Sequence, residues 1–110
     1  MIMRIRTLID MPRRARAGEV IQIHATIAHP METGYRRDSG GELLQRDIVR
    51  SFTCSMGDQV LCKADFFPAI SANPVLSFYY RARSSGELVF RWSGDRGFEH
   101  SERVTLTVEA

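Results

Sequence analysis

The chain has 110 residues, of which 44% are hydrophobic and 25% are charged, and its formal net charge is +2. This length allows one hydrophobic core, so we expect a single domain over residues 1–110. The small net charge does not indicate nucleic-acid binding. The sequence has no run of about 20 apolar residues, which a membrane-spanning helix needs. We therefore expect a small domain that binds neither nucleic acid nor membrane.

The first part of the chain alternates apolar and polar residues in two segments. Residues 3–9 and residues 20–29 each show the period of two that is typical of a half-buried strand. Pro12, a basic run and Gly18 separate them. The residues that share the apolar faces are Met3, Ile5 and Ile9 in the first segment and Ile21, Ile23, Ala25 and Ile27 in the second.

A long loop and a hairpin are predicted next. Residues 30–47 have no sustained period, contain three glycines and are rich in charge, which predicts a loop. Residues 47–66 predict a hairpin that turns at Gly57 and Asp58. Its apolar face would hold Ile48, Phe52, Cys54 and Met56 before the turn and Val60, Cys62, Ala64 and Phe66 after it.

A second irregular segment, PAISANP at residues 68–74, precedes three further strands. Its two prolines exclude a central strand there. The apolar faces of the three strands are Leu76, Phe78, Tyr80 and Ala82, then Leu88, Phe90 and Trp92, then Val104, Leu106 and Val108. About seven short strands and no helical period predict an all-β fold, an immunoglobulin-like antiparallel β-sandwich.

Several residues are of types that bind metals. His24, His29, Met31 and the cysteines could suit copper or iron. However, His24 and His29 have opposite parity on one strand, and the cysteines lack the CxxC spacing of a zinc ribbon. We therefore expect no cofactor. A stand-alone periplasmic metal-binding β-sandwich, using His29, Met31 and Cys54, is the alternative.

Catalytic chemistry has little support in the sequence. Cys54 and Cys62 lie in mid-strand, where they are either buried thiols or a cross-strand disulfide, depending on the hairpin register. No GxSxG, GxxxxGK[ST] or GxGxxG pattern occurs. The arginines near residues 13–16 and 36–37 are explained by solvated loops. We therefore expect a non-catalytic module that presents its loops to another protein.

Two motifs identify a family resemblance. HPMETG at residues 29–34 and PAISANP at residues 68–74, together with Phe90 and Trp92 in an FxW pattern, resemble the SoxZ family of sulfur-oxidation proteins. The likeness extends over residues 13–108. It implies an immunoglobulin-like sandwich that binds a SoxY subunit in a SoxYZ heterodimer, and it implies transient docking with other Sox enzymes and cytochromes. In that family SoxY carries sulfur intermediates of thiosulfate oxidation on a cysteine in a C-terminal GGCGG arm.

The resemblance also carries expectations about role and location. The chain ends in TLTVEA, without a GGCGG arm, so we expect it to be the scaffold subunit. Arg4, Arg6 and Asp10 interrupt the N-terminal apolar stretch, so we expect no export signal on this chain. The resemblance implies a periplasmic location, reached by export together with SoxY.

We predict that the two proline-anchored motifs form the partner-binding surface, and that Arg36 and Arg37 steer the encounter by their charge. Which loop contacts SoxY and which contacts the visiting enzymes is open, as is the alternative that the motifs only form turns inside the sandwich. The predicted residues are His29, Pro30, Met31, Glu32, Thr33, Gly34, Arg36, Arg37, Pro68, Ala69, Ile70, Ser71, Asn73 and Pro74.

Overall fold

A computed structural model describes residues 6–28, 37–43, 47–66 and 74–110. One 3₁₀ turn, Asp95–Gly97, lies between the last two strands. Within these ranges there is no α-helix, and hence none long and apolar enough to span a membrane. The strands are β1 (Arg6–Asp10), β2 (Arg14–Arg16), β3 (Val20–Ala28), β4 (Val49–Met56), β5 (Gln59–Asp65), β6 (Val75–Arg81), β7 (Gly86–Gly94) and β8 (Glu99–Glu109).

The strands form two sheets. The smaller sheet has the order β1-β3-β6, and the larger sheet has the order β2-β8-β7-β4-β5. Every pairing is antiparallel except that of β2 with β8, which is parallel. The predicted immunoglobulin-like β-sandwich is thereby confirmed.

Strand β2 was not predicted. The segment around it was interpreted as a break, because it holds Pro12, several arginines and Gly18. In the structure, Ala15 is the one buried residue of β2. Three residues are too few to show a period, and the parallel pairing with β8 is made far away in sequence. The described residues therefore contain eight strands rather than about seven, and the chain changes sheet between β1 and β2.

The core lies between the two sheets and follows the predicted alternation. Ile23 and Ile27 of β3 are completely buried, as are Leu88 and Phe90 of β7. Aromatic rings fill the centre: the ring centroids of Phe52 and Trp92 lie 5.2 Å apart, and those of Phe52 and Phe78 lie 6.4 Å apart. Because Phe78 is in the smaller sheet and Phe52 in the larger one, these rings join the two layers.

A β-bulge corrects one prediction in the β4–β5 hairpin. Cys54 pairs with Cys62, but Ser55 pairs with Val60, so Leu61 is an extra residue on β5. Val60 therefore shares the outer side of the sheet with Ser55 and is 59% exposed. The prediction that Val60 faces the core was wrong, because one inserted residue reverses the parity of the residues beyond it.

The described part of the predicted long loop is a turn without a strand. Arg37 and Leu43 form an isolated bridge. Between them, Oδ1 of Asp38 accepts hydrogen bonds from the backbone N–H groups of Gly40 at 2.9 Å and Glu42 at 3.0 Å. These bonds satisfy backbone N–H groups that lie outside the strands and so have no partner in a β-ladder.

Candidate functional site

The structure describes two of the predicted partner-binding residues. Nη1 of the exposed Arg37 donates a 2.7 Å hydrogen bond to the carbonyl oxygen of Gly41 and so braces its own turn. Pro74 is buried, and its carbonyl oxygen accepts a 3.4 Å hydrogen bond from the backbone N–H of Ile27. The others lie outside the described residues: His29, Pro30, Met31, Glu32, Thr33, Gly34, Arg36, Pro68, Ala69, Ile70, Ser71 and Asn73.

The points where the two motif segments join the sandwich lie together. The first segment follows Ala28 at the end of β3, and the second reaches β6 through Pro74. Strands β3 and β6 are antiparallel neighbours, with Thr26 opposite Val75. The start of β1 is at the same end, because Arg6 lies opposite Ala28. One end of the smaller sheet therefore holds the attachment points of both motifs.

The outer face of this sheet is unusually apolar for a solvent-facing surface. Leu8, Thr26 and Val75 form one row across its three strands. Leu8 is 66% exposed and Val75 is 56% exposed, and further along the face Tyr79 is 70% exposed. With Val20, this face carries four of the six exposed large hydrophobic residues that the structure describes. We name the row Leu8, Thr26 and Val75, together with Tyr79, the apolar face.

The outer face of the larger sheet has a different character. Hydroxyl and charged side chains dominate it, and an ion pair of 2.8 Å joins Arg103 to Glu87 across β7 and β8. Its outward residues include Ser51, Thr53, Ser55, Arg91, Ser93, Ser101, Arg103 and Thr105. Exposed apolar area concentrated on one face indicates a site of protein contact, so the apolar face is the better candidate interface.

A row of polar side chains crosses the apolar face between Val75 and Tyr79, and a further polar contact lies beyond Tyr79. In the row next to Leu8 and Val75, the Nδ1 atom of His24 lies 2.6 Å from the hydroxyl oxygen of Ser77, a hydrogen bond within the sheet. At the far end of the face, Nη1 of Arg81 donates a 2.7 Å hydrogen bond to the carbonyl oxygen of Gly18. Protein interfaces usually combine apolar side chains with hydrogen-bonded polar groups of this kind.

Burial makes both thiols weak nucleophiles at neutral pH. Cys54 is completely buried, and desolvation raises its pKa to about 12, with a further contribution from Cys62. Burial also raises the pKa of Cys62. Reactive cysteines have lowered pKa values, so both of these thiols are mostly protonated at neutral pH.

Metal ligands do not gather in the part of the chain that the structure describes. No group of three or more His, Cys, Asp or Glu side chains there could hold an ion. His24 lies on the smaller sheet, whereas His100 lies on the larger one with its Nε2 atom 2.9 Å from Oε1 of Glu102. His29 and Met31, which the metal-binding alternative requires, lie outside the described residues.

Sequence reasoning missed the apolar face, although a signal for it was present. Leu8 lies between Arg6 and Asp10 on the polar parity of its strand, and Tyr79 lies on the outward parity of β6. An apolar side chain on the polar side of an alternating strand indicates a contact outside the core. The alignment of Leu8 with Val75 depends on the pairing of three strands and is visible only in the folded chain.

Solved structures with a similar fold include two kinds of protein. A superoxide reductase (neelaredoxin) from Ignicoccus hospitalis is 16% identical with a TM-score of 0.70, over 94% of this chain and 80% of that one. The sulfur carrier protein SoxY from Chlorobium limicola f thiosulfatophilum is 14% identical with a TM-score of 0.68, over 94% and 79%. At such identities the likeness shows the fold alone.

Sequence comparison shows the family. Among curated protein sequences, none matches this chain significantly. The family model described as Sulphur oxidation protein SoxZ matches residues 9–105, which is nearly the whole chain and includes both predicted motifs. The predicted resemblance is therefore confirmed, and the chain belongs to the SoxZ family of sulfur-oxidation proteins.

Proposed function

We propose that this protein is the non-catalytic scaffold subunit of a SoxYZ sulfur carrier complex. It binds a SoxY-type subunit, whose C-terminal cysteine arm carries covalent sulfur intermediates between Sox enzymes during thiosulfate oxidation. Membership of the SoxZ family supports this role. The observation that carries it is the row of Leu8, Thr26 and Val75 on the apolar face, near the end of the smaller sheet where both motif segments attach.

The size of this face indicates what else contributes to the interface. Three strands of about seven residues cover about 14 by 23 Å, or about 320 Å². A stable complex buries about 800 Å² on each partner. The sheet face alone is therefore too small, and we propose that the motif segments attached at its end supply the remaining contact area.

The apolar character of the face favours a permanent partner. Obligate interfaces are more hydrophobic than transient ones, which leave their surfaces exposed to water between encounters. We therefore assign the apolar face to the SoxY-type subunit. Transient docking of Sox enzymes and cytochromes would use other, more polar surface.

The proposal includes a non-enzymatic role and a location. The raised pKa values of Cys54 and Cys62 disfavour a covalent sulfur intermediate on this chain, so the partner's cysteine would carry it. We further propose that the heterodimer is exported as one folded unit and works in the periplasm. A large apolar interface would keep the two chains together during export.

Co-expression with a SoxY-type subunit, with an affinity tag on this chain only, tests the proposal. Val75→Arg places a charge in the row of Leu8, Thr26 and Val75 on the apolar face and should weaken the complex by at least about tenfold. Val60→Arg is the matched control, because Val60 is equally exposed, at 59% against 56%, but lies on the edge strand of the other sheet. It should leave binding unchanged.

The outcomes separate the function from the location of the interface. Size exclusion should give a one-to-one complex of the wild-type chain, and both variants should keep their thermal midpoints. If both variants bind equally well, the apolar face is not the interface. If the wild-type chain elutes alone, the scaffold role itself is wrong. Stoichiometric copper or iron in that sample would then support the metal-binding alternative.

A further inference from the structure

Cys54 and Cys62 are direct neighbours across the β4–β5 hairpin, and both are free thiols. Strand β5 is an edge of the larger sheet, so among the described strands only β4 lies beside Cys62. Cys54 is completely buried and has Phe90 as its neighbour on the other side, whereas Cys62 is partly exposed. The hairpin register, which the sequence left open, therefore brings a buried thiol and an accessible thiol face to face.

The hydrogen-bond pattern determines how close the two residues are. The backbone N–H of Phe66 donates a 2.8 Å hydrogen bond to the carbonyl oxygen of Arg50. Hydrogen-bonded pairs alternate along an antiparallel ladder, so Cys54 and Cys62, two such steps away, form a pair of the same type. The Cα atoms of such a pair are about 5.5 Å apart, within the range of about 4.4 to 6.8 Å that disulfides span.

The side chains, however, are not in an ideal position for a bond. The Cβ atoms of such a pair are about 5.5 Å apart, whereas a disulfide brings them to about 3.8 Å. Closure therefore requires a local movement of the backbone. The bulge at Leu61, directly before Cys62, is a place where the ladder is already interrupted and can adjust.

We propose that Cys54 and Cys62 are a reversible redox pair that closes by exchange with a small-molecule disulfide. The accessible Cys62 reacts first, through the small fraction of its thiol that is deprotonated, forms a mixed disulfide and releases one thiol. The sulfur of Cys54 then loses its proton and attacks the sulfur of Cys62, which releases the second thiol. The two protein thiols lose two electrons and two protons, and the external disulfide is reduced to two thiols.

Two features favour a reversible bond over a permanent structural disulfide. Strain from the long Cβ separation makes a disulfide easier to reduce. The closed loop, from residue 54 to residue 62, is short, so the bond stabilises the folded state less than one that closes a longer loop. Formation and reduction of the bond would tighten and release the outer edge of the hairpin.

The purified full chain should be titrated with mixtures of oxidised and reduced glutathione and followed by intact mass and peptide mapping. Oxidation should give a species lighter by two hydrogen atoms, with Cys54 joined to Cys62, and excess reduced glutathione should restore the thiols. Cys54→Ala should accumulate a single glutathione adduct on Cys62. Cys62→Ala should stay unmodified, because Cys54 is buried.

Other outcomes would overturn the proposal. A stable glutathione adduct on the wild-type chain would show that Cys54 cannot reach Cys62, and no reaction would show that Cys62 is not accessible. A disulfide that resists reduced glutathione would show that the pair forms a permanent structural disulfide. Mapping of the wild-type chain decides among these results even if a variant folds poorly, and none of them depends on binding to a SoxY-type subunit.

Discussion

The hydroxyl of Thr7 on β1 donates a 2.8 Å hydrogen bond to Oε1 of Glu102 on β8, and this bond joins the two sheets. The same carboxylate oxygen lies 2.9 Å from Nε2 of His100. Strands β1 and β8 belong to different sheets and share no backbone ladder. The contact between side chains 95 positions apart therefore links the layers on one open side of the sandwich.

Thr7→Val should lower the free energy of unfolding by about 1 kcal/mol, because it removes the donor and leaves a partly buried carboxylate short of one hydrogen bond. Thr105→Val is the matched control: Thr105 is exposed on the outer face of β8. That control should stay within about 0.5 kcal/mol of the wild type in urea denaturation. Equal effects of the two changes would show that the bond contributes nothing.

Glu102 should make stability depend on pH. Hydrogen bonds from Thr7 and His100 lower the pKa of its carboxyl group, and burial opposes them. The folded-state pKa is thus below the unfolded value, so the stabilisation is complete above the ordinary value of 4.5 and is lost as the pH falls through the folded pKa. The side chain is 41% exposed, so the effect should stay below about 1 kcal/mol.

Glu102→Gln tests this dependence in a series of denaturation curves from neutral to acid pH. The variant should be less stable than the wild type at pH 7, and the two should converge in acid. The difference in unfolding free energy between Thr7→Val and Glu102→Gln should change less with pH than the difference between the wild type and Glu102→Gln. The reason is that the Thr7 hydroxyl is the largest cause of the lowered pKa of Glu102. Curves of wild type and Glu102→Gln that run parallel at every pH would contradict the assignment.

Gly94 should not tolerate a side chain. A Cβ atom there would overlap the carbonyl oxygen of Ile48 and lie 3.0 Å from Cα of Val49, both of which are backbone atoms. Gly94→Ala should therefore cost about 2 kcal/mol or more. Gly86→Ala is the comparison, since its Cβ meets only the flexible side chain of Met56, with Sδ at 3.0 Å, and it should cost less than about 1 kcal/mol. Similar thermal midpoints for the two variants would refute this difference.

Phe52 should be among the most sensitive core positions. It is completely buried, and its ring contacts Trp92 within the larger sheet and Phe78 across the core. Phe52→Ala should lower the free energy of unfolding by about 3 to 5 kcal/mol, whereas Phe52→Leu should cost less because it leaves a smaller cavity. Trp92 is the only tryptophan, so its fluorescence reports the transition directly. A loss below 1 kcal/mol for Phe52→Ala would contradict this packing.

The sequence predicted those features that depend on local pattern. The period of two in β3 and β7 fixed which residues face the core, from Ile21 to Ile27 and from Leu88 to Trp92, and the structure confirms them. The motifs at residues 29–34 and 68–74 indicated the family, which the match over residues 9–105 confirms. Whether these motifs bind a partner stays a prediction, because all but Arg37 and Pro74 of the predicted site lies outside the described residues.

What the sequence alone determined, then, is the strand type, the core face of most strands and the family, because side-chain alternation and motifs are properties of neighbouring residues. Tertiary structure decided the outward position of Val60, the row of Leu8 with Val75 and the facing of Cys54 with Cys62. Each of these depends on register between strands, which is a property of paired backbones rather than of either segment. A single bulge shifts the register, and the local pattern of apolar and polar residues does not show where the bulge lies.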